Sequence, residues 1–133
     1  MKEIDVYQVL EGKNPKLARR VPRFVVDYLR RTIHEREVNE ILARFGDLEG
    51  IAFVRAALGY MNVRYHSVGM ERLNPEGRYV FASNHPFGGM DGLMLADKVA
   101  RYFGDVRVVV NDLLMYLGPL RGLFVPVNKH GRQ

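Results

Sequence analysis

The sequence predicts an α/β fold, a sheet flanked by helices and preceded by a helical N-terminal subdomain. Two observations carry that prediction. Apolar residues recur at helical spacing up to about residue 61, and after residue 62 short β-branched runs alternate with a helical stretch. The boundary falls between residues 1–61, a basic amphipathic helical subdomain, and residues 62–133, the first part of the α/β domain. A third observation sets the class: 133 residues with 47% hydrophobic and 26% charged content suit a folded chain with one core, and no repeat or low-complexity tract interrupts it.

Each element has its own justification. Between residues 16 and 33, Leu17, Val21, Phe24, Val25, Tyr28 and Leu29 form one helical stripe, with Lys16, Arg19, Arg20, Arg23, Arg30 and Arg31 on the remaining surface. Pro22 suits the first turn of that helix. Val38, Ile41, Leu42 and Phe45 repeat the pattern, with Gly46 as a C-cap. Residues 48–61 are apolar on most sides, as in a buried helix. Residues 62–68 and 78–83 read as strands joined by the turn Asn74-Pro75-Glu76-Gly77. Residues 91–103 read as a helix with Leu95, Val99, Tyr102 and Phe103 on one face. The run at 106–110 has the character of a strand buried on both sides, and 123–127 of a final strand.

Composition excludes several functions. Cysteine is absent, so neither disulfides nor thiolate chemistry is available. His34, His66 and His130 show no metal-ligand spacing with a carboxylate, so no metal is expected. The formal charge of +5 and pI near 9.7 favour anionic partners. Trp is absent and the aromatics do not interleave with basic residues as in single-strand-binding sheets, which argues against nucleic acid. The N-terminus opens on Lys2, Glu3 and Asp5, and no apolar run reaches the roughly 18 residues of a spanning helix. The expectation is a cytoplasmic protein without its own transmembrane anchor.

The segment Phe81-Ala82-Ser83-Asn84-His85-Pro86-Phe87-Gly88-Gly89-Met90-Asp91-Gly92 is the most informative. It places a histidine past a strand and an aspartate at the start of a helix, where function commonly sits. An attacking hydroxyl needs a base that titrates near neutrality, and imidazole does so. A carboxylate on the second ring nitrogen fixes the tautomer and stabilises the imidazolium, giving the His-Asp half of a triad. Asp91 has a plain alternative as a helix N-terminal cap, a role that is compatible with the first. Gly88 and Gly89 permit close approach of a ligand to the backbone, or form only a turn.

This segment resembles the first motif of the lysophospholipid (glycerolipid) acyltransferase family, in which Asn-His is followed after four residues by Asp. The match is closest to the bacterial hemolysin-like, ornithine-lipid-type branch, whose string is N-H-P-x-G-G-x-D-G; Asn84, His85, Pro86, Gly88, Gly89, Asp91 and Gly92 fit it. Downstream, Asn111-Asp112-Leu113-Leu114, Gly118-Pro119, Gly122 and Phe124-Val125-Pro126-Val127-Asn128-Lys129 resemble the family's second block. Lys129 stands where that block carries a basic residue thought to meet the acceptor's phosphate. Five residues, not four, separate His85 from Asp91, and the family's third block (Pro-Glu-Gly) and its fourth do not follow before Gln133. Pro75-Glu76-Gly77 precedes the histidine and reads as a turn. The resemblance therefore implies an N-terminal fragment of a longer enzyme.

What the resemblance implies is acyl transfer from a thioester on acyl carrier protein or coenzyme A to a hydroxyl of a lysolipid. His85 is then the base and Asp91 its partner. Asn84, Gly88, Gly89, Arg121 and Lys129 are the candidates for substrate contact; for Arg121 and Lys129 the plainer reading is a solvated charge. No cofactor is expected beyond the thioester co-substrate. Two other functions fit the same residues: a non-catalytic module that binds membrane or carrier protein, and a lipid esterase that turns the His-Asp pair on water. The basic helix near residues 16–33 either packs its stripe on the sheet or lies on anionic lipid, where each Lys or Arg adds about 1 kcal/mol.

Overall fold

A computed structural model of the chain describes residues 4–13, 15–32 and 34–127. Among the described residues, six helices come first to last as α1 (Val6–Lys13), α2 (Pro15–Ala18), α3 (Arg23–Thr32), α4 (Glu35–Phe45), α5 (Gly50–Tyr60) and α6 (Gly89–Phe103), followed by strands β1 (Val108–Asn111) and β2 (Phe124–Val127). Short 3-10 turns occupy Met70–Arg72, Asp112–Tyr116 and Gly118–Leu120.

Charge placement and a backbone C-cap support α4. Glu35 and Glu37 lie in the first turn of α4 and Arg44 in its last, complementing the helix dipole. Gly46 ends α4, its N–H donating to the Leu42 carbonyl at 2.9 Å, but in a right-handed conformation (φ −67°), so the freedom peculiar to glycine is not used there. Asn39 exchanges two hydrogen bonds with the backbone of Ile4, at 2.7 and 2.8 Å, and Arg30 bridges Asp5 and Glu35. These bonds hold the N-terminal segment and α3 to α4.

The stripe expected near residues 16–33 is divided. Val26 is buried and Val25 and Leu29 half-buried, whereas Phe24 and Tyr28 stand 73% and 66% exposed. They lie four apart, on the exposed side of α3.

The core forms where α5 crosses the later elements. Phe53, Val54, Ala57 and Leu58 of α5 pack with Ile41 and Leu42 of α4, Ala96 of α6, and Leu120 and Leu123. Val54 is fully buried. Segments before and after residue 62 thus share one apolar cluster.

The sheet is smaller than the sequence suggests: β1 and β2 pair in parallel, Val108 opposite Phe124 and Asn111 opposite Val127. The crossover between them runs through residues 112–123 as 3-10 turns. Pro126 lacks a ladder donor and is tolerated because β2 pairs on one side only. The strand expected to be buried on both sides alternates instead, with Val110 buried and Val109 69% exposed, since the core meets one face.

Residues 62–68 and 78–83 form no ladder among the described residues. Residues 61–68 keep the strand period, alternating half-buried and exposed, but a strand is defined by a hydrogen-bonded neighbour, and none lies alongside. The second segment is held by rings. Tyr79 and Phe81 pack on Phe103 with centroids 5.3 and 5.7 Å apart, and the Tyr102 hydroxyl donates to the Leu73 carbonyl at 2.9 Å. From this clamp at the C-terminal end of α6, residues 82–88 return to its N-terminus, spanning a helix about 22 Å long at 1.5 Å per residue.

Candidate active site

Residues 82–90 are exposed throughout and carry the Asn84-His85 pair into solvent. Two backbone devices shape the loop. Gly88 N–H donates to the His85 carbonyl at 3.0 Å, closing a turn over 85–88. Gly88 itself adopts φ +64° and ψ −128°, a region that only glycine enters without strain, and then α6 begins.

Asp91 is the third residue of α6. Its Oδ2 accepts the Phe87 N–H at 2.8 Å, a reach from the first helical turn back onto the loop that resembles the acidic half of a capping box. Residues 85, 87, 88 and 91 are therefore tied into one turn. Among the described residues, no hydrogen bond or ion pair joins the His85 and Asp91 side chains, and Phe87 N–H is the donor that Asp91 meets.

The other candidates are more scattered. Asn84 follows Ser83, whose hydroxyl donates to the Asn84 carbonyl at 2.6 Å. Gly89 opens α6 in ordinary helical geometry, and a Cβ at either Gly88 or Gly89 would meet nothing within 4 Å, so both face open space. Arg121 is exposed but engaged locally, its Nε donating to the Met115 carbonyl at 2.8 Å on the crossover between the strands. Lys129 and His130 lie outside the described residues. Among those described, no three His, Asp or Glu side chains converge as a metal site would require, and no helix is long and apolar enough to cross a membrane.

One cluster was not anticipated. Asp97, in the middle of α6, is 2% exposed and accepts from Arg55 Nε of α5 at 2.8 Å, from Arg101 Nε at 2.9 Å and from the Tyr65 hydroxyl at 2.5 Å. Burial alone would push its carboxyl up, but the hydrogen bonds from Tyr65, Arg55 and Arg101 together outweigh burial and hold it below the usual carboxylate range. Burial, then the bond to Asp97, push the Tyr65 phenol up. The signal was present in the sequence: a carboxylate on the inward side of an amphipathic helix with an arginine four residues on.

Comparison with known proteins agrees with the motif. The chain is 42% identical over 131 residues to a lyso-glycine lipid O-acyltransferase of Bacteroides thetaiotaomicron, covering 98% of this chain and 48% of the relative. It is 38% identical over 131 residues to the protein of the same name in Phocaeicola vulgatus, covering 98% and 47%. The chain thus spans about half the length of the curated relatives it matches. No solved structure matches it. The model of the family described as Acyltransferase matches residues 8–133, and by that near-complete match the chain belongs to the acyltransferase family.

Proposed function

We propose that this chain supplies the base of an enzyme that moves a fatty acyl group from a thioester to the hydroxyl of a lysolipid. The observation that carries the reading is the single turn that presents His85 to solvent and is closed by the Asp91 carboxylate, in a chain of this family. His85 removes the proton of the acceptor hydroxyl as its oxygen attacks the thioester carbonyl. The carbon–sulfur bond then breaks, and the proton passes to the departing thiolate. Asp91 retains Oδ1 to receive the other imidazole N–H, fixing the tautomer once substrate draws the loop together. The turn at 85–88 and the left-handed Gly88 take up the extra residue between His85 and Asp91. Gly88, Gly89 and Asn84 line the approach to the base, and Lys129 and Arg121 are the candidates for an anionic acceptor group.

The relatives' name makes a lyso-glycine lipid the first acceptor to try, with acyl carrier protein or coenzyme A thioesters as donors and no further cofactor. Such an acceptor lies in a bilayer, and α3 offers a way onto one. Phe24 and Tyr28 are exposed beside Arg23 and Arg31, an aromatic and cationic face suited to the inner, anionic surface of the membrane.

The test is His85→Ala in the whole protein, with lipid products resolved by mass spectrometry. Acylated acceptor should fall by at least about 10³-fold, from loss of general-base catalysis and of the tautomer it holds, while the exposed position of His85 leaves the fold intact. Retained transfer would refute the role of His85. Free fatty acid in place of acylated acceptor from the unaltered protein would make it an esterase, and neither product with any thioester would make it a binding module.

A further inference from the structure

Away from the His85 loop, α5, α6 and the extended segment at 63–65 border an open cleft of about 480 Å³. Its wall carries four cations, Arg55, Arg64, Lys98 and Arg101, against one carboxylate, Asp97. That carboxylate is consumed: it lies on the floor, 2% exposed, and takes the Nε–H of both arginines and the Tyr65 hydroxyl. Arg55 and Arg101 nonetheless keep side chains 45% and 57% exposed. Arg64 and Lys98 form no ion pair among the described residues, so two whole positive charges face the cleft without a counter-charge.

Such an arrangement favours an anionic partner. Like charges gathered on one surface sum to a positive potential that attracts anions. Asp97 neutralises one of them and, by holding both guanidiniums at Nε, fixes their planes relative to each other. Two guanidinium forks tethered at Nε, together with an ammonium, match the several oxygens of a phosphoryl group better than the two of a carboxylate. Leu58 and Val63 complete the lining with an apolar wall, so a phosphate attached to a carbon skeleton fits as well as a bare one. Lys98 lies seven residues beyond Asp91, about 10 Å along α6, which makes the cleft a separate place from the catalytic turn.

We infer that the cleft bounded by Arg55, Arg64, Lys98 and Arg101 is a binding site for the phosphoryl group of a small phosphate-bearing ligand. The site stands on its own geometry and does not require the His85 mechanism.

Calorimetric titration of the full chain tests it with three probes: inorganic pyrophosphate, coenzyme A, and vesicles of phosphatidylcholine with a lysophosphatidate component. Saturable binding in at least one arm is expected, and the arm with the lowest Kd tells a free, nucleotide-linked or lipid-linked phosphate apart. Arg64→Gln with Lys98→Gln, which breaks no internal bond, should weaken that binding about a hundredfold, roughly tenfold for each charge-assisted contact. In the unaltered protein, the Nε–H resonances of Arg55 and Arg101 should shift on titration and saturate at the same Kd, a readout independent of any variant. Arg36→Gln with Arg44→Gln, two exposed charges on α4, should leave Kd within about twofold, the difference expected of screened distant charges. The inference falls if no probe saturates, if the cleft variant binds as the parent does, or if the α4 variant loses as much.

Discussion

The backbone N–H of Phe87 is bonded to Oδ2 of Asp91 at 2.8 Å, so the aspartate that partners the histidine in our proposal also closes the loop that carries it. Asp91→Asn separates the two duties. The amide keeps an oxygen for Phe87 but loses the charge that would stabilise an imidazolium. Transfer should fall on the order of 10³-fold or more, with the urea midpoint almost unmoved. Asp91→Ala should in addition lose about 1 kcal/mol of stability with its cap. Normal turnover by Asp91→Asn would leave Asp91 only the cap.

The two glycines of the loop should respond differently. Gly88 sits at φ +64°, so Gly88→Ala should cost about 1–2 kcal/mol in backbone strain and disturb transfer with it. Gly89 is already helical and its Cβ would meet open space, so Gly89→Ala should be neutral to slightly stabilising. Urea unfolding of both variants measures the contrast; equal losses would contradict the assigned backbone geometry.

Asp97→Ala should be among the most damaging single changes. It strips the partner from Arg55, Arg101 and Tyr65 at once. Because both guanidiniums are about half exposed and return partly to water, the expected loss is about 2–3 kcal/mol rather than the larger figure for a wholly buried pair. Chemical denaturation monitored by circular dichroism gives the number.

The same cluster sets a pH dependence with two limbs. Asp97 is held below its ordinary 3.8, so its contribution is whole above that pH and is lost as acid titrates it through the lower folded value. Tyr65 is raised above 10.0, so its contribution is whole below that pH and is lost as base carries it through the higher folded value. Melting temperature against pH should show both limbs. Asp97→Asn should flatten the acid one, and Tyr65→Phe the alkaline one.

Much of this was legible in the residues, and the exceptions share a cause. The helices at α4 and α6 and the strands β1 and β2 announce themselves locally, through the stripe of Val38, Ile41, Leu42 and Phe45 and the β-branched run ending at Val110. The loop from Asn84 to Asp91 was marked by its glycines, proline and motif. Residues 62–68 and 78–83 have strand-like composition, but pairing depends on a neighbour that local pattern cannot supply. Phe24 and Tyr28 match helical spacing as well as Val25 does; only the tertiary arrangement decides which of them the core takes. Asp97 is a polar residue inside an apolar face; only Arg101, four residues on, marks it locally, while Tyr65 and Arg55 come from residues 32 and 42 positions away.

The rings of Tyr79 and Phe81 against Phe103 have a mechanical consequence. They grip the incoming chain at one end of α6 while Asp91 fastens it at the other, so the stretch bearing His85 is strung like a cord along a rod. Slackening the far anchor would loosen the whole span, so the placement of the His85 imidazole depends on rings packed at the opposite end of the helix.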